Sequence, residues 1–399
     1  MDNKIVSLFF LVLFAGIALL NAQTSVKAAD SLYTIGDYSA AIKTYTEITP
    51  KSDHILAQMA RSHKAKGTYD DALVFYQQAI ETNPKALIAK MEYGKLLMTT
   101  KNFQKANGIF EGLVVKHPKN PDFQYQLGLT KETLKDSAAI YHYKKAFDLD
   151  QSHQKSCYKV AKHFLVRREF DSVVKYAQTG LSYYKNNVEL ISVLGQNYYK
   201  MERFDKAIPY FLQLVELNYV NEFVYRYLAT SYYKEYEYKE ALQYYKLLLN
   251  YDDENPRLYN TLAEVSSKLK NYKDAEKYYL TAIELLDYNL DGEYYKLAMT
   301  YRFQEKWEDA MAYMKKAIKE NPGNINAQYE LAAFADAYYK DPEIKLSYYN
   351  KYLDKFGEKE DSTDKPTKVA FKRFIQERVQ KRIRQLEQEI ATDSLGAKK

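Results

Sequence analysis

The chain has 399 residues, 46% hydrophobic and 28% charged, with 58 Lys and Arg against 52 Asp and Glu. That balance excludes a disordered polyelectrolyte, and thirteen Gly with nine Pro exclude collagen-like and linker-like chains. A single Cys excludes a disulfide framework and a CxxC zinc site, whereas 41 Tyr is far above ordinary usage and asks for a cause.

The first predicted element is an export signal over residues 1–22. Lys4 makes a weakly basic start, Ile5 to Leu20 is mostly apolar, and Leu20-Asn21-Ala22 is a small-residue cleavage site that puts the mature start at Gln23. The apolar run is shorter than the roughly 20 residues a membrane span needs, which favours cleavage over an uncleaved anchor. No Cys follows it, so lipid attachment at that point is not expected. The expected location is the periplasm or another extracytoplasmic space.

From residue 23 to 356 the chain repeats itself. An aromatic recurs at Tyr38, Tyr69, Phe103, Phe170, Phe204, Tyr238, Tyr272 and Trp307, with gaps of 31 to 35 residues and one double gap of 67. Nine residues before each stands Ala29, Ala60, Gly94, Ala161, Gly195, Ala229, Ala263 or Ala298. Three residues after most of them stands Ala, as in Ala41, Ala72, Ala106, Ala207, Ala241, Ala275 and Ala310. Four further on comes a second aromatic in most copies, as in Tyr45, Tyr76, Phe110, Phe211, Tyr245 and Tyr279. Offsets of three and four put these residues on one helix face. Each copy is therefore read as two amphipathic helices joined by a tight turn, such as Lys66-Gly67-Thr68. One hairpin cannot bury its apolar face alone, so neighbours must stack.

The pattern resembles the tetratricopeptide (TPR) repeat, over about ten copies spanning most of the chain. The resemblance implies an all-α, TPR-type α-solenoid: a right-handed superhelix of helix hairpins whose first helices line a concave inner wall. Copies four and five depart from the pattern, with Asp136 at an aromatic position and Val173 and Ala177 at the Ala and second-aromatic positions. A bend, a functional site or ordinary repeat drift accounts for them.

A charged linker over 357–365 breaks the period. Pro366 then opens a basic amphipathic helix predicted to about Ala391, followed by a tail over 392–399. Phe371, Ile375, Val379, Ile383, Leu386 and Ile390 form one apolar stripe. Two readings stand: a cap over the last repeat, or a docking helix for a partner or an anionic membrane surface.

Catalytic and metal chemistry is not readable. The six His form no HExxH and no nucleophile motif, and no phosphate-binding glycine loop occurs. His153 and Cys157 are four apart, but Cys157 falls on the inward face and reads as a buried thiol. Asp287-x-Asn289-x-Asp291-Gly292 begins like a calcium loop, yet the position of its bidentate Glu is Ala298. Trp307 occupies a core slot. No catalytic residue, metal or cofactor is expected.

The remaining face of the first helices is the candidate site. It carries Arg61, Lys64, Lys95, Lys155, Lys162, Lys200, Arg226, Lys234, Arg257, Lys268 and Arg302 against Asp122, Glu132, Glu189 and Glu264. Tyr125, Tyr158, Tyr199, Tyr233 and Tyr295 are interleaved. Tyr offers contact area with a hydroxyl at low rotamer cost, and Lys and Arg bind carboxylates by charge-assisted bonds. The partner-binding set is Tyr125, Tyr158, Lys162, Tyr199, Lys200, Arg226, Tyr233, Lys234, Arg257, Tyr295 and Arg302. The Lys and Asn set of a chaperone-binding dicarboxylate clamp is not found. The expectation is a non-catalytic protein–protein interaction scaffold of the cell envelope that takes acidic protein or peptide segments, with no nucleic acid. A membrane-tethered adaptor and a polymer- or glycan-binding module are the alternatives.

Overall fold

Helical periodicity in the sequence becomes helix, with a polar side chain capping the start of most first helices and a left-handed residue following the end of nine of them. The computed structural model describes residues 23–286, 290–357 and 366–396. The expected signal over 1–22, nearly all of the linker, and Asp287 and Asn289 of the calcium-like segment lie outside the described residues. Among the described residues there are 21 helices and no strand.

They pair in chain order: α1 (23–34) with α2 (Tyr38–Glu47), α3 (Asp53–Lys66) with α4 (Tyr69–Thr82), α5 (Leu87–Thr99) with α6 (Phe103–Lys116), α7 (Pro121–Thr133) with α8 (Ala139–Leu149) and α9 (Gln154–Arg167) with α10 (Phe170–Tyr183). The second half continues with α11 (Val188–Lys200) and α12 (Phe204–Glu216), α13 (Glu222–Lys234) and α14 (Tyr238–Leu248), α15 (Pro256–Lys268) and α16 (Tyr272–Leu285), α17 (Asp291–Phe303) and α18 (Trp307–Glu320), then α19 (Ile325–Tyr338) and α20 (Pro342–Phe356). The last helix, α21 (Pro366–Gly396), extends past its expected end near Ala391. The fold is an all-α solenoid of helix hairpins. The described residues divide into two compact units, one up to Asn197 and one from Tyr198.

Capping is repetitive because the sequence is. Ser52, Asn120, Asn187, Asn221, Asn255 and Asn324 each accept a hydrogen bond from a backbone N–H three residues on, filling an orphan donor of a first helix. In nine of the ten hairpins one residue between the two helices adopts positive φ: Gly36 and Gly67, then Lys101, Lys135, Arg168, Glu202, Tyr236, Lys270 and Glu305; the α19–α20 connection has none. The turn needs a left-handed residue, and glycine supplies it only in the first two copies. In copy four Asp136 takes the place of the aromatic because its carboxylate accepts from Ala138 N and from Lys131 Nζ, starting the shortened α8.

Small residues and aromatics fill the core as their spacing dictates. Ala60, Ala72 and Tyr76 are fully buried together, as are Ala263, Ala275 and Ala298 with Tyr279 beside them. Cys157 is a buried free thiol, pushed up to about 11 by burial. Trp307 packs at the edge of the α15–α19 core and meets Phe334 edge-on.

The tyrosine excess has a second structural use that the repeat pattern alone did not reveal. Stacked ring pairs tie the two helices of five hairpins: His63–Phe75, Phe164–Tyr176, Tyr198–Tyr210, Tyr232–Tyr244 and Tyr301–Tyr313. In each, the ring three residues after the small residue meets the ring six residues after the second helix begins. The Tyr232 and Tyr244 planes differ by only 5°, the offset-stacked geometry aromatic pairs favour.

The α21 stripe covers the last hairpin. Ile375, Val379, Ile383 and Leu386 are buried with Ala332, Tyr349 and Tyr352. Phe371 departs from the expected stripe and is 41% exposed. Arg382 locks the helix down with a forked pair of bonds to Asp336 at 2.8 and 3.0 Å.

Candidate functional site

Successive first helices lie close enough for their side chains to bond. Arg61 on α3 donates from Nε to Glu92 on α5 at 2.9 and 3.1 Å, and Lys159 on α9 reaches Glu132 on α7 at 2.6 Å. Tyr233 on α13 donates to Glu264 on α15 at 2.7 Å, Asn260 to Glu293 at 3.0 Å, and Arg302 on α17 sits 3.4 Å from Glu330 on α19. The candidate face therefore latches repeat to repeat as well as presenting groups outward.

One further offset shares this face. Glu92, Lys159 and Glu330 lie two residues before the small residue of their helices and share the face. Seven residues separate that offset from the one holding Lys200 and Lys234, which is two turns of helix. That offset adds Glu92 and Glu330 but also Lys159 and Lys296, so the basic excess of the face is unchanged while part of it is paired.

Within residues 1–197 most of the predicted groups are engaged. Tyr125 is a correction: its ring is 7% exposed, wedged against Tyr143 and His153 at 5.7 and 5.2 Å, and cannot serve as an open platform. Burial, then the nearby Glu189 and Glu132 charges, push its phenol up to about 12. Glu132 would be raised by burial, but bonds from Lys159 and Tyr143 hold it below the usual range. Tyr158 is half-buried, and Lys162 lies over its ring at 5.4 Å.

Residues 198–399 present the freer basic face. Tyr199 packs edge-on to Tyr227 at 4.4 Å and to Phe204 at 5.2 Å. Burial, then the Glu264 bond, raises Tyr233 well above the ordinary phenol range. Tyr295 is half-buried and raised by burial. Arg226 pairs with Glu222 one turn back, and Arg302 is held by Glu330, itself raised by burial despite that cation. Among the described residues, no carboxylate lies within ion-pairing distance of Lys200, Lys234, Arg257 or Lys268, and all four are exposed. Three of these, Lys200, Lys234 and Lys268, recur every 34 residues at the end of successive first helices. The structure thus groups Tyr199, Lys200, Tyr233, Lys234 and Arg257 on one unit, and leaves Tyr125 out.

Among the described residues no cluster of three or more His, Cys, Asp or Glu is arranged for a metal, and no helix is long and apolar enough to cross a membrane. Asp291, in the calcium-like segment, accepts a bond from Asn321 at 2.9 Å.

Family models described as tetratricopeptide repeat match residues 63–128, 193–259, 256–285 and 292–324. Similar solved structures include YrrB, described as a TPR protein with an unusual peptide-binding site, at 17% identity over 47% of this chain and 96% of that one, TM-score 0.43. Yeast Tom70 is 17% identical over 93% of this chain and 99% of that one, TM-score 0.34. PilF of Pseudomonas aeruginosa is 18% identical over 53% and 97%, TM-score 0.38. No curated protein matches the chain.

Proposed function

Because the chain is a tetratricopeptide repeat protein, a protein–protein interaction scaffold, we propose that it holds acidic partner segments along the first-helix face of residues 198–399. The carrying observation is the row Lys200, Lys234 and Lys268. These exposed cations are one repeat apart, and the first two directly follow the half-buried Tyr199 and Tyr233. An unpaired ammonium at regular spacing costs nothing to keep exposed and gains when a carboxylate arrives, while the adjacent ring adds apolar area. Arg257 adds a fourth donor on the same unit.

The proposal extends to place and chemistry. The apolar run Ile5 to Leu20 with its small-residue site supports an extracytoplasmic scaffold of the cell envelope. The face is read as a binding surface rather than a reaction centre, because Glu264, Glu293, Glu330 and the Tyr233 phenol are engaged in bonds between repeats.

The test is the triple variant Lys200→Glu, Lys234→Glu, Lys268→Glu. Photo-crosslinkers at positions 257 and 226 report partners in cells, and a Glu-rich peptide probe reports affinity. Peptide affinity should fall at least tenfold, with its salt dependence reduced and the thermal melt unchanged. Unaltered affinity and an unaltered crosslinking pattern would remove the proposal.

A further inference from the structure

Several glycines in this chain answer a structural demand. Gly36 and Gly67 hold positive φ, and Gly94 and Gly128 lie where a Cβ would meet a buried ring at 2.7 Å. Gly108 and Gly112 answer none. Both lie inside the 14-residue helix α6, neither has positive φ, and a Cβ built on either meets nothing within 4 Å. Each costs the helix about 1 kcal/mol relative to alanine. Two breaches of a local rule, one turn apart on the same face and without compensation in packing, mark a functional candidate.

What they leave is a hollow of about 380 Å³ between α6 and the start of α5. The equivalent space in α13–α14 and α17–α18 holds rings, Tyr225 on Tyr244 and Tyr294 on Tyr313. In α5–α6 the matching positions are Lys90 and Ile109. Leu87, Ile109 and Leu113 supply apolar walls, with the two glycines as an open floor. Lys85, Lys90 and Lys116 stand around the rim, and no carboxylate lines the space. Lys90 donates to the Pro84 carbonyl, which fixes its ammonium at the mouth. Among the described residues, none of the three has a carboxylate within ion-pairing distance.

We propose that this hollow is a binding site for a small apolar monocarboxylate, an acyl chain of modest length whose tail lies over Gly108 and Gly112 and whose carboxylate meets the three lysines. The volume falls at the low end of small-molecule sites, ~300–1,000 Å³. Charge complementarity selects an anion, because three ammonium groups without a counter-charge flank one apolar floor. The site lies within residues 1–197, so it stands or falls separately from the basic face of the other unit.

The test uses the full chain with decanoate as probe, followed by calorimetry and by ligand-observed NMR. Decanoate should bind saturably at one site per chain, and decanol should bind at least tenfold more weakly. Gly112→Leu fills the hollow and restores helix propensity, so it should abolish binding while raising the melting temperature. Lys85→Ala, Lys90→Ala, Lys116→Ala should weaken decanoate at least tenfold and leave decanol unchanged. Non-saturable decanoate binding, binding that survives Gly112→Leu with the fold intact, or equal affinity for decanol would each overturn the proposal. Decanoate displaced by a peptide ending in an apolar residue, at lower concentration than free acid requires, would reassign the site to a protein partner and overturn it as stated.

Discussion

At Gly94 the backbone of α5 lies so near the Phe110 ring that an added Cβ would sit 2.7 Å from it, and that ring is fully buried. The small residue is a condition of the packing, not a preference. Gly94→Ala should therefore destabilise the array by about 1–3 kcal/mol through overpacking, read as a lower urea midpoint with an unchanged slope. A neutral result would mean that Phe110 has room to move. The same positions could be read from sequence, since a small residue nine before an aromatic is a local regularity. The status of Tyr125 could not. Its offset marks the first-helix face, but its burial depends on Tyr143 and His153 from neighbouring helices.

Single helices show the same division. The tight turns were legible as breaks in periodicity, yet in seven of the nine hairpins that carry a left-handed residue it is Lys, Arg, Glu or Tyr, identities that carry no turn signal. The last helix was legible as an amphipathic stripe, with its two roles open. Docking decides for the cap: Ile375, Val379, Ile383 and Leu386 are used up against α19 and α20. Arg382 is the polar lock. Burial alone would raise Asp336, but the Arg382 bonds, the Tyr349 hydroxyl and Lys345 hold its carboxyl below the usual range. A lowered folded-state pKa stabilises above the unfolded value, near 3.9, and that contribution is lost as pH falls through the folded value. Arg382→Ala should cost about 1.5–3 kcal/mol at pH 7, the range for hydrogen bonds to a charged group. The deficit should shrink below about pH 4, where the wild type also loses the bond. Hydrogen exchange on α21 measures both. Equal protection of α21 in variant and wild type at neutral pH would show that the apolar stripe alone holds the helix.

Across the whole molecule, buried phenols make stability depend on alkaline pH. Tyr45, Tyr76, Tyr143, Tyr279 and Tyr349 are raised above the ordinary range by burial first, and by neighbouring carboxylates, and Tyr352 is pushed up to about 12. The folded state holds these protons more tightly than the unfolded chain. The stability they confer is complete below about pH 10 and is lost as pH rises through the folded values. Tyrosinate absorbance at 295 nm should rise in two phases, the later one coincident with loss of helical circular dichroism. A single phase near pH 10 with helicity intact would contradict the burial described here.

The amino-acid order by itself determined the helix hairpins, their 34-residue period, the small and aromatic core positions and the solenoid. All of these follow from offsets of three, four and nine within one short segment, where helical geometry fixes what faces what. Only the tertiary structure decided which basic groups are free. Glu92, Glu132, Glu264 and Glu330 reach partners on the adjacent first helix, 27 to 31 residues away, and so neutralise or engage groups that look available in sequence. That outcome depends on the distance between packed helices, which no periodicity encodes. The hollow over Gly108 and Gly112 belongs to the same class, since two absent side chains become a space only once α5 closes over them.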